Sequence, residues 1–360
     1  MSHAVTGPVR VIGTGLLGTS IGLGLTRAGF EVQLSDASPN NERLAHELRA
    51  GIPIAQTSAA PSLVVVCVPP DVTAVVIAEQ LELWPEALVT DVASVKLQPL
   101  EQLRERGSDL SRYLGGHPMA GRETGGPLSA RADLFIGRPW VITPHGGERE
   151  GAMETVRALA ELLGSNTVTL DARAHDESVA LISHTPQIVS SLLAARLVDD
   201  EHNAAALAGQ GLRDVTRIAA SDDNLWVQIL AANGPRVAPI LRALEQDISE
   251  VAAALEQLEA DGSRLLVAER MRRGAEGVQR IPGKHGGRRQ FATVTVLVED
   301  RPGQLAKLFA DIEHSNINLE DLRMDHSQGA EVGLVEVSVL PEARATLTEA
   351  LEAQGWRIAQ

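Results

Sequence analysis

Residues 11–18, Val-Ile-Gly-Thr-Gly-Leu-Leu-Gly, constrain this chain more than any other segment. An apolar run that reads as a strand, residues 9–13, leads into a GxGxxG and then into the helical period of residues 16–28. The first glycine permits a tight turn, the second lets a pyrophosphate approach the backbone, and the third lets helix and strand pack. Free N–H groups and the positive dipole end of the helix then meet the phosphates. Asp36 closes the next apolar run, residues 32–36, 18 residues after Gly18, where a carboxylate accepts both ribose hydroxyls and repels a 2′-phosphate. The segment predicts a dinucleotide site that takes NAD rather than NADP. Gly13, Gly15, Leu16, Leu17, Gly18 and Asp36 build it, with Val68 and Pro69 at the end of a later buried strand. A glycine-rich turn followed by an incidental aspartate is the structural alternative.

The strand–helix alternation continues through the first half. Residues 63–69, 87–91, 113–114 and 139–143 and a TVTL ending at Leu170 read as strands, and residues 41–50 as a helix. This gives an α/β fold with a Rossmann-type domain over 1–170. Residues 171–280 carry long Ala- and Leu-rich stretches, 179–197, 203–219 and 225–258, and read as an all-helical domain. The Gly- and Arg-rich stretch 272–290 reads as exposed linker, with the linker proper at 281–290. Over 291–360 the alternation returns as strand 292–299, helix 302–314, strands 317–325 and 332–340, helix 342–354 and strand 356–359. That βαββαβ order predicts a ferredoxin-like module.

Composition removes whole classes of function. A net charge of −15 argues against a nucleic-acid partner, and 2% aromatic residues are too few for base stacking. Cys67 is the single cysteine, so an internal disulfide and a cysteine-based zinc site are excluded; no metal is expected and a reducing cytoplasm is. No uninterrupted apolar run reaches membrane-spanning length, and the start, MSHAVTGPVR, lacks the layout of a signal peptide.

Polar residues in apolar surroundings mark the chemistry. Asp91-Val-Ala-Ser94-Val-Lys96 follows a buried strand at the carboxyl edge, where open α/β sheets bind ligands. His117, in Gly-Gly-His-Pro-Met-Ala-Gly, reads as sitting on a rigid loop, where it can take a proton from a hydroxyl as hydride leaves the same carbon. Ser94 is expected to hold the other ring nitrogen and fix the tautomer. A turn histidine is the alternative. Ser183 and Gln187 fall one turn apart in Ser-His-Thr-Pro-Gln, as do Arg213 and Arg217 farther on. Each arginine is either solvated surface or a bidentate carboxylate clamp.

The GTGLLG, DVASVK, GGHPMAG, SHTPQ and TRIAASD segments together resemble the prephenate/arogenate dehydrogenase family over roughly residues 8–280, in order. The resemblance implies a Rossmann domain followed by a helical dimerisation domain, hence a homodimer, and NAD-dependent oxidative decarboxylation of prephenate to 4-hydroxyphenylpyruvate on the way to tyrosine. It implies that His117 is the catalytic histidine, Ser94 its orienting serine and Arg217 the carboxylate clamp, with His175 and Ser183 supporting the pocket. Two departures stand out: Gln187 where some relatives carry a second histidine, and Arg122 where many carry Thr or Ser. Both bear on whether the substrate is prephenate or arogenate. Neither offers a carboxylate for an ammonium group, which favours prephenate.

The DRPGQLA turn (300–306), the SNIN segment (315–318) and the βαββαβ order resemble an ACT domain, which implies a small regulatory ligand at Asp300, Gly303 and Asn316. The pathway product tyrosine is the expected effector; a module for packing alone is the alternative. Two rivals remain for the whole chain. Hydroxyacid dehydrogenases use a helical-domain lysine, and residues 171–271 contain none. A non-enzymatic NAD and amino-acid sensor would need neither Ser94 nor His117.

Overall fold

The computed structural model describes residues 5–122, 124–200, 204–281, 291–325 and 332–359. The chain divides into two compact units, Met1–His202 with Val215–Leu244, and Asn203–Asp214 with Glu245–Gln360.

The first unit is built on an eight-stranded sheet. In chain order its elements are β1 (Val9–Ile12), α1 (Leu16–Arg27), β2 (Val32–Ser35), α2 (Pro39–Glu47), β3 (Ile52–Pro53), β4 (Leu63–Val66), α3 (Pro70–Leu83), β5 (Leu88–Asp91), α4 (Leu97–Glu105), β6 (Tyr113–Pro118), β7 (Pro139–Thr143), α5 (Ala152–Leu162) and β8 (Asn166–Thr169). The sheet order is β3-β2-β1-β4-β5-β6-β7-β8. Every neighbouring pair is parallel except β6 with β7. β4 and β5 are buried at every residue, as strands covered by helices on both faces must be. Proline opens α2 and α3, where its missing N–H costs nothing, and Ser38 caps α2.

β6 departs from the sequence expectation. It is six residues long and carries His117 inside the strand rather than on a loop. The glycines before His117 serve close packing, not a turn. A Cβ on Gly116 would stand 2.8 Å from Nε1 of Trp140 and 2.9 Å from the Asp91 carbonyl. Only a strand without a side chain there lies this close to β5 and β7.

Between β8 and residue 281 the regular elements of the described residues are all helical. Asp171 caps α6 (Ala172–Val179), its carboxylate accepting from the Ala174 N–H. A π turn, Ala180–His184, joins α6 to α7 (Thr185–Ala195). Pro186 has no N–H for the Ile182 carbonyl four residues back, and the widened turn absorbs that mismatch. By length and composition the run Ala172–Ala195 could cross a membrane. Its His175, Asp176, His184 and Gln187 are buried within the protein, while Leu181, Ile182 and Leu192 are exposed.

Residues 203–219, expected as one helix, form only short pieces: a 3₁₀ turn Ala204–Leu207, α8 (Gln210–Thr216) and a second turn Arg217–Ala220. Gly209, a residue type that costs about 1 kcal/mol against alanine in a helix, falls at the break between the first two pieces. α9 (Asp223–Glu256) and α10 (Ser263–Val278) follow. α10 covers residues 272–278, which read as linker in the sequence; straight-chain Arg and Glu favour helix, and Arg272 pairs with Glu276 one turn on, at 2.9 Å. Linker residues 282–290 lie outside the described residues.

The rest of the second unit runs β9 (Ala292–Glu299), α11 (Gln304–His314), β10 (Asp321–Asp325), β11 (Val332–Val339), α12 (Arg344–Ala353) and β12 (Arg357–Ala359). The strands form an antiparallel sheet in the order β10-β11-β9-β12. Alternate residues of β9 and β11 pack against Leu308, Ile312, Leu347 and Leu351 of the two helices.

Replacing Gly116 with alanine overpacks the β5–β6–β7 contact. The expected loss is about 1–3 kcal/mol in urea unfolding; an unchanged midpoint would contradict this account of β6.

Candidate active site

The carboxyl ends of β1, β2 and β4 form the cofactor edge. Gly13 has φ +93°, and a Cβ there would stand 2.4 Å from the Cys67 carbonyl, so no other residue fits. The Asp36 carboxylate accepts the Thr14 N–H (2.5 Å) and hydroxyl (2.8 Å) through one oxygen and the Ser38 N–H (2.7 Å) through the other. This ties the end of β2 to the glycine turn. α1 has no side-chain cap, so its first-turn N–H groups at Leu16 and Leu17 are left for another acceptor. A Cβ on Gly15 would meet nothing within 4 Å, which leaves the approach open. Val68 and Pro69 lie between β4 and α3, beside this turn. The residues present fit a dinucleotide pyrophosphate at the helix start and a ribose at Asp36.

Two strands beyond β4 in the sheet, His117 is 8% exposed and heads a line of two fully buried groups. Its Nδ1 lies 2.8 Å from Nε2 of His175, and Nδ1 of His175 lies 2.8 Å from an Asp176 carboxylate oxygen. Asp176 also accepts the main-chain N–H groups of Lys96 (2.8 Å) and Leu97 (3.0 Å), at the start of α4. Burial pushes the Asp176 carboxyl up, but these hydrogen bonds, from His175 first, outweigh it and hold the group below its ordinary range. An ionised carboxylate only accepts, so Nδ1 of His175 donates to it. In a pair of neutral imidazoles the order is then fixed: Nε2 of His175 accepts from Nδ1–H of His117, and Nε2 of His117 carries a lone pair. Burial, with His175, Lys96 and His184 nearby, holds His117 well below the usual imidazole range. His117 is a neutral base aimed by a histidine.

This corrects the role expected for Ser94. The tautomer of His117 is set by His175, and among the described residues no hydrogen bond joins Ser94 to the ring. Ser94 follows β5 at the same edge and is half-buried.

A second buried network lies under the edge. The Lys96 ammonium pairs with Asp91 and donates to the Gly116 carbonyl at 2.7 Å, while the Tyr113 hydroxyl donates to Asp91 at 2.7 Å. Lys96 thereby holds the strand bearing His117. Burial lowers the Lys96 pKa and raises that of Tyr113. Lys96 and His184 stand within the DVASVK and SHTPQ segments, and with Asp176 they belong to the site through burial and pairing that residue spacing does not show.

The remaining expected residues scatter. Buried Gln187 donates to the Ile218 carbonyl at 2.9 Å, seating the turn that starts with exposed Arg217 against α7. Ser183 is half-buried in the π turn. Arg122 is exposed and donates to the Ser129 carbonyl at 3.2 Å. Arg213, a turn before Arg217 in the sequence, belongs to the other unit. There, Gly303 (φ +89°) starts α11, Asn316 (φ +55°) follows its end, and Asp300 is exposed in the preceding turn. Among the described residues no cluster of histidine, cysteine and carboxylate could hold a metal.

Comparison with known proteins gives matches along the whole chain. The family model for the nucleotide-binding domain of prephenate dehydrogenase matches residues 21–169, and that for its dimerization domain residues 171–271. The chain is 36% identical over 359 residues to the Streptomyces niveus protein named "Probable prephenate dehydrogenase NovF", covering 96% of this chain and 98% of that one. It is 25% identical over 347 residues to the prephenate dehydrogenase of Bacillus subtilis, covering 92% and 91%. A crystal structure of prephenate dehydrogenase from A. aeolicus, in complex with hydroxyphenyl propionate and NAD+, shares the fold with a TM-score of 0.64 at 23% identity, covering 75% of this chain and 98% of that one.

The buried histidines make stability depend on pH. Burial lowers His184 from 6.5 to about 4, and His117 moves the same way. The unfolded chain takes up these protons first, so stability is full above pH 6.5 and is lost as the pH falls toward 4. For His184 alone the loss is on the order of 3 kcal/mol. Urea unfolding at pH 7.5, 6 and 5 reads it; equal free energies at all three would contradict the neutral assignment.

Proposed function

The chain belongs to the prephenate dehydrogenase family, and from that premise we propose that it converts prephenate and NAD+ to 4-hydroxyphenylpyruvate, CO₂ and NADH. The observation that carries the reading is His117, a buried neutral imidazole with its Nε2 lone pair directed away from His175. Nε2 accepts the proton of the C4 hydroxyl as C4 gives up hydride, and the C1 carboxylate leaves as CO₂ while the ring becomes aromatic. NAD+, bound at the glycine turn with its ribose at Asp36, supplies the hydride acceptor. The histidine–carboxylate line keeps His117 in the accepting tautomer and disperses the charge it gains.

Arg217 clamps a substrate carboxylate, supported from behind by Gln187, and Arg122 offers a second cation at the rim. Ser183 and Ser94 add hydroxyls to the pocket, Ser94 toward the substrate rather than the ring. Neither Gln187 nor Arg122 presents a carboxylate for an ammonium group, which supports prephenate over arogenate. Residues 1–170 then serve as the cofactor domain and 171–280 as the dimerisation domain. The exposed Leu181, Ile182 and Leu192 suit an apolar subunit contact, so we assign a homodimer. One cysteine and no need of a disulfide support a reducing cytoplasm.

Residues 291–360 serve as an ACT-type regulatory module. Its sheet exposes Leu322, Met324 and Leu334, which suits pairing with a second module. Tyrosine is the assigned effector, its carboxylate on the turn at Gly303, near Asn316, and its ammonium toward Asp300.

Absorbance at 340 nm tests the reaction directly: NADH accumulates with prephenate and NAD+. His117→Asn lowers kcat by about 10²–10⁴-fold with little change in NAD+ affinity. Arg217→Gln raises KM by about one to two orders of magnitude, the worth of a charge-assisted pair. Near-normal kcat in the first variant, or near-normal KM in the second, contradicts the corresponding role. For the module, tyrosine inhibits the full-length enzyme and Asp300→Ala relieves the inhibition without changing kcat. Competitive inhibition equal in both proteins places tyrosine in the active site instead.

A further inference from the structure

Asn233, on α9, is fully buried, and its amide touches two residues of the α6–α7 run at once. Nδ2 donates to the main-chain carbonyl of Asp176 at 2.8 Å and lies 3.1 Å from Nδ1 of His184. The amide's orientation is decided by that carbonyl. A carbonyl only accepts, and turning the amide over would set two oxygens face to face. Nδ2 accepts nothing, so Nδ1 of His184 carries a lone pair and Nε2 carries the proton. The Trp226 ring closes the other side of His184, edge-on at 5.9 Å between ring centres.

We propose that Asn233 is a positioning residue of the reaction: its amide keeps His184 a neutral Nε2–H imidazole and fixes Asp176, and through Asp176 the orientation of His175 and His117. The proposal rests on His117 as the proton acceptor. Asp176 meets the histidine line with its side chain and Asn233 with its main chain, so a shift of its backbone reaches His117 through two hydrogen bonds. The titratable and charged groups around the line are Lys96 ahead of α4, His175 and Asp176 on α6, and His184 at the π turn. α9 contributes the uncharged Asn233 at this point. A charged donor there would set a cation beside His184, whereas the amide supplies two N–H bonds with no charge. Burial already disfavours the doubly protonated, charged form of His184, in agreement with a neutral ring.

The test uses ¹⁵N-histidine-labelled full-length protein and Asn233→Asp, which keeps the shape and removes the donor. In the wild type at pH 7, Nδ1 of His184 and Nε2 of His117 are expected to give the signals of unprotonated ring nitrogens. In Asn233→Asp the new carboxylate draws a proton onto Nδ1 of His184. The same variant should lose about ten- to hundredfold in kcat, the scale of a small misplacement of a reacting group, while the Kd for NAD+ stays within about twofold. A merely structural role would leave the His184 signal unchanged and lower kcat only in step with the folded fraction, and that result overturns the proposal. So does wild-type kcat in the variant, or a protonated Nδ1 of His184 in the wild type. If the variant does not fold, the wild-type spectra decide. A wild type that makes no NADH from prephenate refutes the function and leaves these spectra to judge Asn233 separately.

Discussion

One buried carboxylate, Asp176, joins the fold to the chemistry. It accepts two main-chain N–H groups at the start of α4 and the imidazole N–H of His175. The start of a helix carries a partial positive charge, which stabilises the anion there. The same ionised state makes His175 a donor at Nδ1 and an acceptor at Nε2. The helix that receives Asp176 follows β5, so the edge of the sheet and the helical run meet at this residue.

Lys96 and Asp91 do comparable work one layer below. Their charges are wholly buried and stand only because each has the other, with Tyr113 and the Gly116 carbonyl taking remaining hydrogen bonds. Such a pair contributes little net stability over an apolar core, and its value here is register. It fixes the strand that carries His117 against the strand that ends at Asp91. Gly116 completes the arrangement by letting the three strands close to backbone distance.

What the sequence made legible follows from how local the signal is. The glycine turn and Asp36 lie within one βαβ unit, and a local motif states its geometry. βαββαβ order could likewise be read from alternating periods. His117 was identifiable as a base from residue type, but its partner was not, because His175 lies 58 positions away and the pairing depends on how α6 meets the sheet. Ser94 is nearer in sequence, and proximity along the chain points to it for that bond. The glycines beside His117 suggested a loop, since a sequence does not distinguish glycine for flexibility from glycine for close approach. Residues 272–278 read as linker because their helix is held by charge spacing without an apolar stripe.

The central claim is that His117 works as a neutral imidazole oriented by His175 and Asp176. The pH dependence of kcat at saturating NAD+ and prephenate tests it most directly. Because burial, with His175, Lys96 and His184 nearby, depresses the His117 pKa, the rate should stay flat from pH 8 down through 6.5 and fall only well below that. An acid limb centred at or above pH 6.5 would mean that the base titrates like an exposed histidine, and the account of the buried line would be wrong.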